Sequence, residues 1–151
     1  MTAIELGSTA FRDHQEIPRR HSGEGDDVSP PLTWSAAPEG ARELVLVCED
    51  PDAPGGTFLH WLVTGIDPGS SGAAEGAVPP GGREWPNGFG RVGWNGPMPP
   101  PGHGRHRYFF RLYAVSEPLP LPERPGSDAV HRALKGRELA AGTLVGTYER
   151  G

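Results

Sequence analysis

The chain has 151 residues, enough for one domain with a buried core, and a net charge of −5, with 13 of its 14 basic residues arginine. A mildly acidic chain without a basic run is a poor nucleic-acid binder, and no apolar stretch reaches the roughly 20 residues of a membrane span. Gly and Pro number 23 and 18, a level often tied to disorder, but the apolar residues gather in dense runs at 44–48, 58–66, 108–115 and 143–148. That distribution is the pattern of a folded domain of strands and long ordered loops.

Taken in order, MTAIELGSTAFRDHQEIP shows no basic start followed by an apolar core. No signal peptide is expected, and the default is a soluble cytoplasmic protein. Residues 3–6 are a short expected strand, and 7–28 are polar and turn-rich. In SPPLTW (29–34) consecutive prolines impose an extended path and Trp34 offers an anchor. Residues 43–49 read as a strand, 50–57 as a turn and 58–66 as a second strand. The Gly/Pro-rich stretch 67–104 carries Trp85, Phe89, Trp94 and Met98 with which to pack, so an ordered loop is expected. A third strong strand is predicted over 106–115. PGSDAVHRALKG reads as a short helix capped by Ser127 and stopped by Gly136, with Val130 and Leu134 facing inward. A last strand covers 143–148. The fold expected is mainly β, in a single domain spanning 1–151. Cys48, the sole cysteine, lies inside an apolar run and reads as a small buried hydrophobe.

The polar residues at strand ends carry the functional argument. With alternating faces, Leu44, Leu46, Cys48 and Asp50 share one side of their strand, Phe58, His60, Leu62 and Thr64 of the next, and His106, Tyr108, Phe110 and Leu112 of the third. If 106–115 runs antiparallel to 44–50, Asp50, His60, His106 and Tyr108 meet at one rim, with 67–104 available as a wall. A carboxylate against an imidazole favours the imidazolium. Backbone N–H groups of GWNGP and the Tyr108 hydroxyl add donors. The product is a small pocket for phosphate, carboxylate or a similar oxyanion.

Blander and rival readings stand beside it. Asp50 and Asp52 also suit a Pro-bracketed turn, and His60 and His106 could be satisfied core histidines. His103 reads as a solvated loop residue and Arg91 as a loop-anchoring ion-pair partner. Two histidines and a carboxylate can hold iron or zinc, but no close His pair on one element supports a metal. No nucleophile elbow is present and Cys48 points inward. The reading is a binding protein with no catalytic residue, metal or cofactor. The alternatives are an enzyme using the Asp/His rim for acid–base chemistry, and an inhibitor surface in which loop 83–104 does the work.

DPDAP followed by HW, then GPMPPPGHGRHRYFFRLYAV, together with DDVSPPLTW, NGFGRVGWNGPMPPPGHG and LVGTYER, resembles the phosphatidylethanolamine-binding (Raf kinase inhibitor-like) family, its small bacterial branch in particular. The similarity runs from about Ser29 to Arg150. It implies a large antiparallel sheet packed on a smaller one with one or two short peripheral helices near the C-terminus. It also implies an anion pocket to which Asp50, Asp52, His60, Gly96, Pro97, His106 and Tyr108 contribute. Members bind phosphate-like groups including phospholipid headgroups, and some regulate kinases or proteases; bacterial members are often dimers, so a homodimer is expected. Trp94, Met98 and Arg137 depart from the pattern, the first two at the expected pocket wall and the third beside the helix bordering the site.

Overall fold

The computed structural model describes residues 2–151. Its large sheet is built on three long strands, β5 (Glu43–Asp50), β6 (Phe58–Ile66) and β9 (His106–Val115), joined by the C-terminal β10 (Glu138–Tyr148). Short strands β1 (Thr2–Ala3), β3 (Gln15–Glu16) and β8 (Arg83–Glu84) complete it in the order β1-β10-β9-β5-β6-β8, with β3 also on β10. β5 lies antiparallel to both β6 and β9, the direction on which the rim argument depended. β1 and β3 run parallel to β10, so the sheet is not wholly antiparallel. A second sheet of three short strands, β2 (Leu6–Gly7), β4 (Leu32–Trp34) and β7 (Gly72–Ala73), packs on one face.

Every residue of β5 from Leu44 to Asp50 is buried. A central strand covered on both faces needs apolar side chains at successive positions, which accounts for the unbroken run LVLVC. On one face Leu44, Leu46 and Cys48 join Phe110, Leu112, Trp34 and Leu32 between the sheets. On the other, Val45 and Val47 pack with Leu59, Leu62, Tyr113 and Val115 beneath α1 (Ser127–Leu134). Val130 and Leu134 are the helix's contribution to that layer, as their spacing predicts.

Several local expectations change. The strand expected at 3–6 is two short strands that belong to different sheets. β10 begins at Glu138, five residues before the predicted start, because Ala140 and Ala141 pair with both β9 and β1. Gly126 occupies the helix N-cap and Ser127 is the first helical residue, with no side-chain cap bond. Gly136, at φ 79°, ends the helix as expected.

Strict alternation fails along β6. Cys48 pairs with Trp61 and Glu49 with Leu59, so His60 is the extra residue of a β-bulge. His60 and Trp61 consequently turn to the same side, Trp61 and Val63 join the inter-sheet core, and Leu62 is delivered to the helix side. Leu62 and Thr64 therefore do not share the face of His60. Thr64 instead accepts a hydrogen bond from the Trp85 indole at 2.8 Å.

On the helix side, buried Glu49 bonds His131 Nε2 at 2.9 Å and lies 3.5 Å from Arg111, fastening α1 to the sheet. Burial pushes the Glu49 carboxyl up, but the hydrogen bond of His131 and the charges of His131 and Arg111 outweigh it and hold it low. His131 is raised by its bond to Glu49. A histidine raised in the folded state stabilises fully below its unfolded pKa of about 6.5 and loses that contribution as pH rises through the folded value. The urea midpoint of His131→Ala should therefore lie furthest below wild type near pH 5.5 and approach it by pH 9.

Candidate functional site

The pocket forms where the central strands end. Asp50 closes β5, His106 and Tyr108 open β9, and the bulge presents His60 from β6. Together they line a cavity of about 200 Å³ whose remaining walls are largely apolar: Phe58, Phe89, Met98, Pro99 and Pro100, with Ala53 and Pro54 from the turn. Phe89 and Met98 are 48% and 40% exposed, so the mouth is apolar too.

Each polar group has a defined state of engagement. The Asp50 carboxylate accepts His106 Nδ1–H at 2.7 Å through Oδ2 and the Asp52 N–H at 2.7 Å through Oδ1. Both side chains of the Asp50–His106 pair are almost fully buried, at 4% and 2% exposure. His106 Nε2 lies 2.6 Å from Nδ1 of His103. His60 Nδ1–H donates to the Asn95 carbonyl at 2.7 Å, which leaves Nε2 as the ring's remaining polar atom. Burial, despite that bond and the charges of Asp50 and Asp27, holds His60 below the usual histidine range, so the ring is neutral at pH 7. Tyr108 stands edge-on to His60, with ring centroids 5.2 Å apart. Its hydroxyl is buried without a hydrogen-bond partner among the described residues, and burial, with Asp50 next, pushes its pKa strongly up. It is a donor kept protonated and left unused.

Three expected site residues lie outside the cavity. Asp52 is engaged by Arg107: Nε and the backbone N–H both donate to Oδ2 at 2.9 Å, and Nη2 to Oδ1 at 2.8 Å. That guanidinium brings its pKa down to about 2. Asp52 clamps the β5–β6 turn to the start of β9 and does not face the pocket. The Gly96 N–H donates to Asp27 at 2.7 Å, and the Pro97 carbonyl accepts from Gly23. The loop's N–H groups thus serve its own fold instead of forming a donor nest. Trp94 stacks on Phe110 and meets Trp61 edge-on, a core wedge and not a pocket wall; Met98 does line the wall. Arg137 bonds Glu117 and the Ala133 carbonyl at the helix end, away from the pocket. Arg91 makes no ion pair among the described residues, so the anchoring assigned to it falls to others.

Sequence reasoning missed those anchors. Asn87 bonds the Gly93 carbonyl and Asn95 through Nδ2 and accepts from the N–H groups of Phe89 and Arg91. Asp27 holds Gly96 and Asn95 from the far side. Between them they set Phe89 in the mouth and the Asn95 carbonyl against His60. The Asn-Gly pair at 87–88 and the acidic pair at 26–27 were the available signals, both typical of side-chain-to-backbone turns. His103, expected to be solvated, is exposed but bonded to His106. Among the described residues no group of three or more metal-binding side chains is arranged to hold a metal ion.

The fold is a large sheet backed by a small one, with a histidine-lined pocket at the ends of its central strands. The chain belongs to the phosphatidylethanolamine-binding protein family, whose profile matches residues 7–149. A phosphatidylethanolamine-binding protein homologue of Chlamydia trachomatis, CT736, superimposes with a TM-score of 0.88 at 36% identity, covering all of both chains. YbcL of E. coli, described as a member of the mammalian family, gives 0.90 at 27% identity over 99% of this chain and all of its own. Lipoprotein LppC of Mycobacterium tuberculosis is 48% identical over 148 residues, 97% of this chain and 72% of that protein. That similarity overturns the expectation of a cytoplasmic protein, since a lipoprotein is membrane-anchored. The expectation rested on the N-terminal residues and on the lack of an apolar span, and a lipid anchor needs no spanning helix. Among the described residues no helix is long and apolar enough to cross a membrane.

Proposed function

We propose that the chain is a non-catalytic binding protein whose pocket takes a small tetrahedral oxyanion, a phosphate or the phosphoryl head of a larger ligand. The observation that carries this reading is the Tyr108 hydroxyl, a buried donor without a partner in a cavity it shares with His60 and His106. Leaving such a group unsatisfied costs about 1–3 kcal/mol, and a ligand oxygen would recover it. The apolar mouth of Phe89, Met98 and the prolines suits a ligand with an apolar substituent beyond the phosphoryl group. Neither Lys nor Arg lines the cavity, so affinity is modest.

The pH dependence follows from His60. With Nδ1–H committed to Asn95, the neutral ring offers only an acceptor, and an anion must bring a proton to Nε2. Binding therefore takes up a proton and tightens as pH falls, by at most about tenfold per pH unit above the pKa of the free ring. In a thermal-shift titration with inorganic phosphate and phenyl phosphate, stabilisation should be larger at pH 6 than at pH 8. Tyr108→Phe should bind about tenfold or more weakly while its ligand-free form is about 1 kcal/mol more stable than wild type. No phosphate-dependent shift at either pH, or wild-type affinity in Tyr108→Phe, refutes the reading.

A further inference from the structure

His106 lines the cavity, and its Nε2 is already taken. His103 Nδ1 lies 2.6 Å from it, the two rings meeting edge-on with centroids 4.9 Å apart. A continuous chain runs from the buried Asp50 carboxylate through both rings of His106 and His103 to the solvent-exposed surface. We propose that His103 is a latch: a built-in occupant of His106 Nε2 that a ligand must displace, so that it sets the affinity of the pocket. The proposal rests on the oxyanion reading above.

The local backbone suits a part that moves on a fixed base. His103 sits between Gly102 (φ 72°) and Gly104 (φ 89°), both in the left-handed region that glycine adopts without strain. A Cβ added at either would meet nothing within 4 Å, so neither glycine is packed in place. The base is tied down: Arg150 Nε donates to the Pro99 carbonyl at 2.6 Å and its carbonyl accepts from the Gly102 N–H at 3.1 Å. Pro99 and Pro100 meanwhile form the cavity wall. The wall can stay while the His103 ring leaves. His106 cannot follow, because its Nδ1–H is held by buried Asp50. Once released, Nε2 of His106 is open to a ligand in the cavity that His106 lines.

The exchange has a defined sign. In the free protein the His103–His106 bond competes with the ligand, and a net hydrogen bond of this kind is worth a few-fold in an equilibrium constant. His103→Ala should therefore bind inorganic phosphate and phenyl phosphate about three- to tenfold more tightly than wild type by titration calorimetry at one pH. Equal or weaker binding overturns the latch, since it would make His103 a bystander or a ligand contact. The imidazole ¹⁵N spectrum without ligand separates this from failure of the oxyanion reading. Replacing His103 should shift His106 Nε2 and leave the Asp50-bonded Nδ1 in place. If neither protein takes either probe, the oxyanion reading fails and the latch falls with it, whereas an unmoved Nε2 resonance refutes the latch alone.

Discussion

His106→Ala should lower the unfolding free energy by about 3–5 kcal/mol, the largest loss expected from any single pocket side chain. Asp50 and His106 are both nearly solvent-free, and their 2.7 Å bond crosses from β5 to β9. Removing one member of a buried pair leaves the other as an uncompensated charge, and that residual desolvation dominates the cost. The abandoned carboxylate retains only the Asp52 N–H. Urea denaturation of both proteins at pH 8 checks this. A loss under about 1 kcal/mol at pH 8 would mean that the pair is not the interaction holding this rim together. Asp50→Asn, which keeps an acceptor for the imidazole without a buried charge, should cost markedly less.

Gly96→Ala should be nearly as damaging, for a steric reason. A Cβ at Gly96 would collide with the His21 carbonyl and crowd the Asp27 carboxylate, and neither the backbone nor the hydrogen-bonded acid can retreat cheaply. The cost expected is about 2–3 kcal/mol, the upper part of the usual range for overpacking. It should be accompanied by loss of phosphate-dependent stabilisation, because Asn95 next door carries the carbonyl that orients His60. Gly90→Ala serves as control: its φ of 80° brings some strain, but its Cβ would meet nothing. A Gly96→Ala protein with a wild-type urea midpoint would show that the loop tolerates displacement from His21. Gly96 thus acts on this loop through packing, its N–H being bonded to Asp27.

The long strands and their order in the chain were legible because they rest on local patterns. LVLVC is a short apolar run closed by a Pro-bracketed turn, and HRYFFRLYAV alternates buried and more exposed residues over its first part. The meeting of Asp50, His106 and Tyr108 at one rim was legible too, since they stand at the ends of such runs. The bulge at His60 was not. Its cause is the pairing of Cys48 with Trp61 and Glu49 with Leu59, a relation between two strands that neither encodes alone. That Asp52 and the Gly96 amide are engaged elsewhere in the fold was not legible for a similar reason. Arg107 and Asp27 arrive from 55 and 69 residues away in sequence and claim those groups first.

The sequence by itself therefore determined the mainly β class, the strand runs and the residues available at the rim, because hydrophobic period and turn chemistry act over a few neighbouring residues. Only the tertiary structure decided which of those polar groups stay unspent. Asp52 and the Gly96 amide are consumed within the fold, His103 is drawn from solvent onto His106, and the Tyr108 hydroxyl is left without a partner. Hydrogen-bonding capacity belongs to a residue, but whether it remains free depends on every group that the folded chain brings within reach.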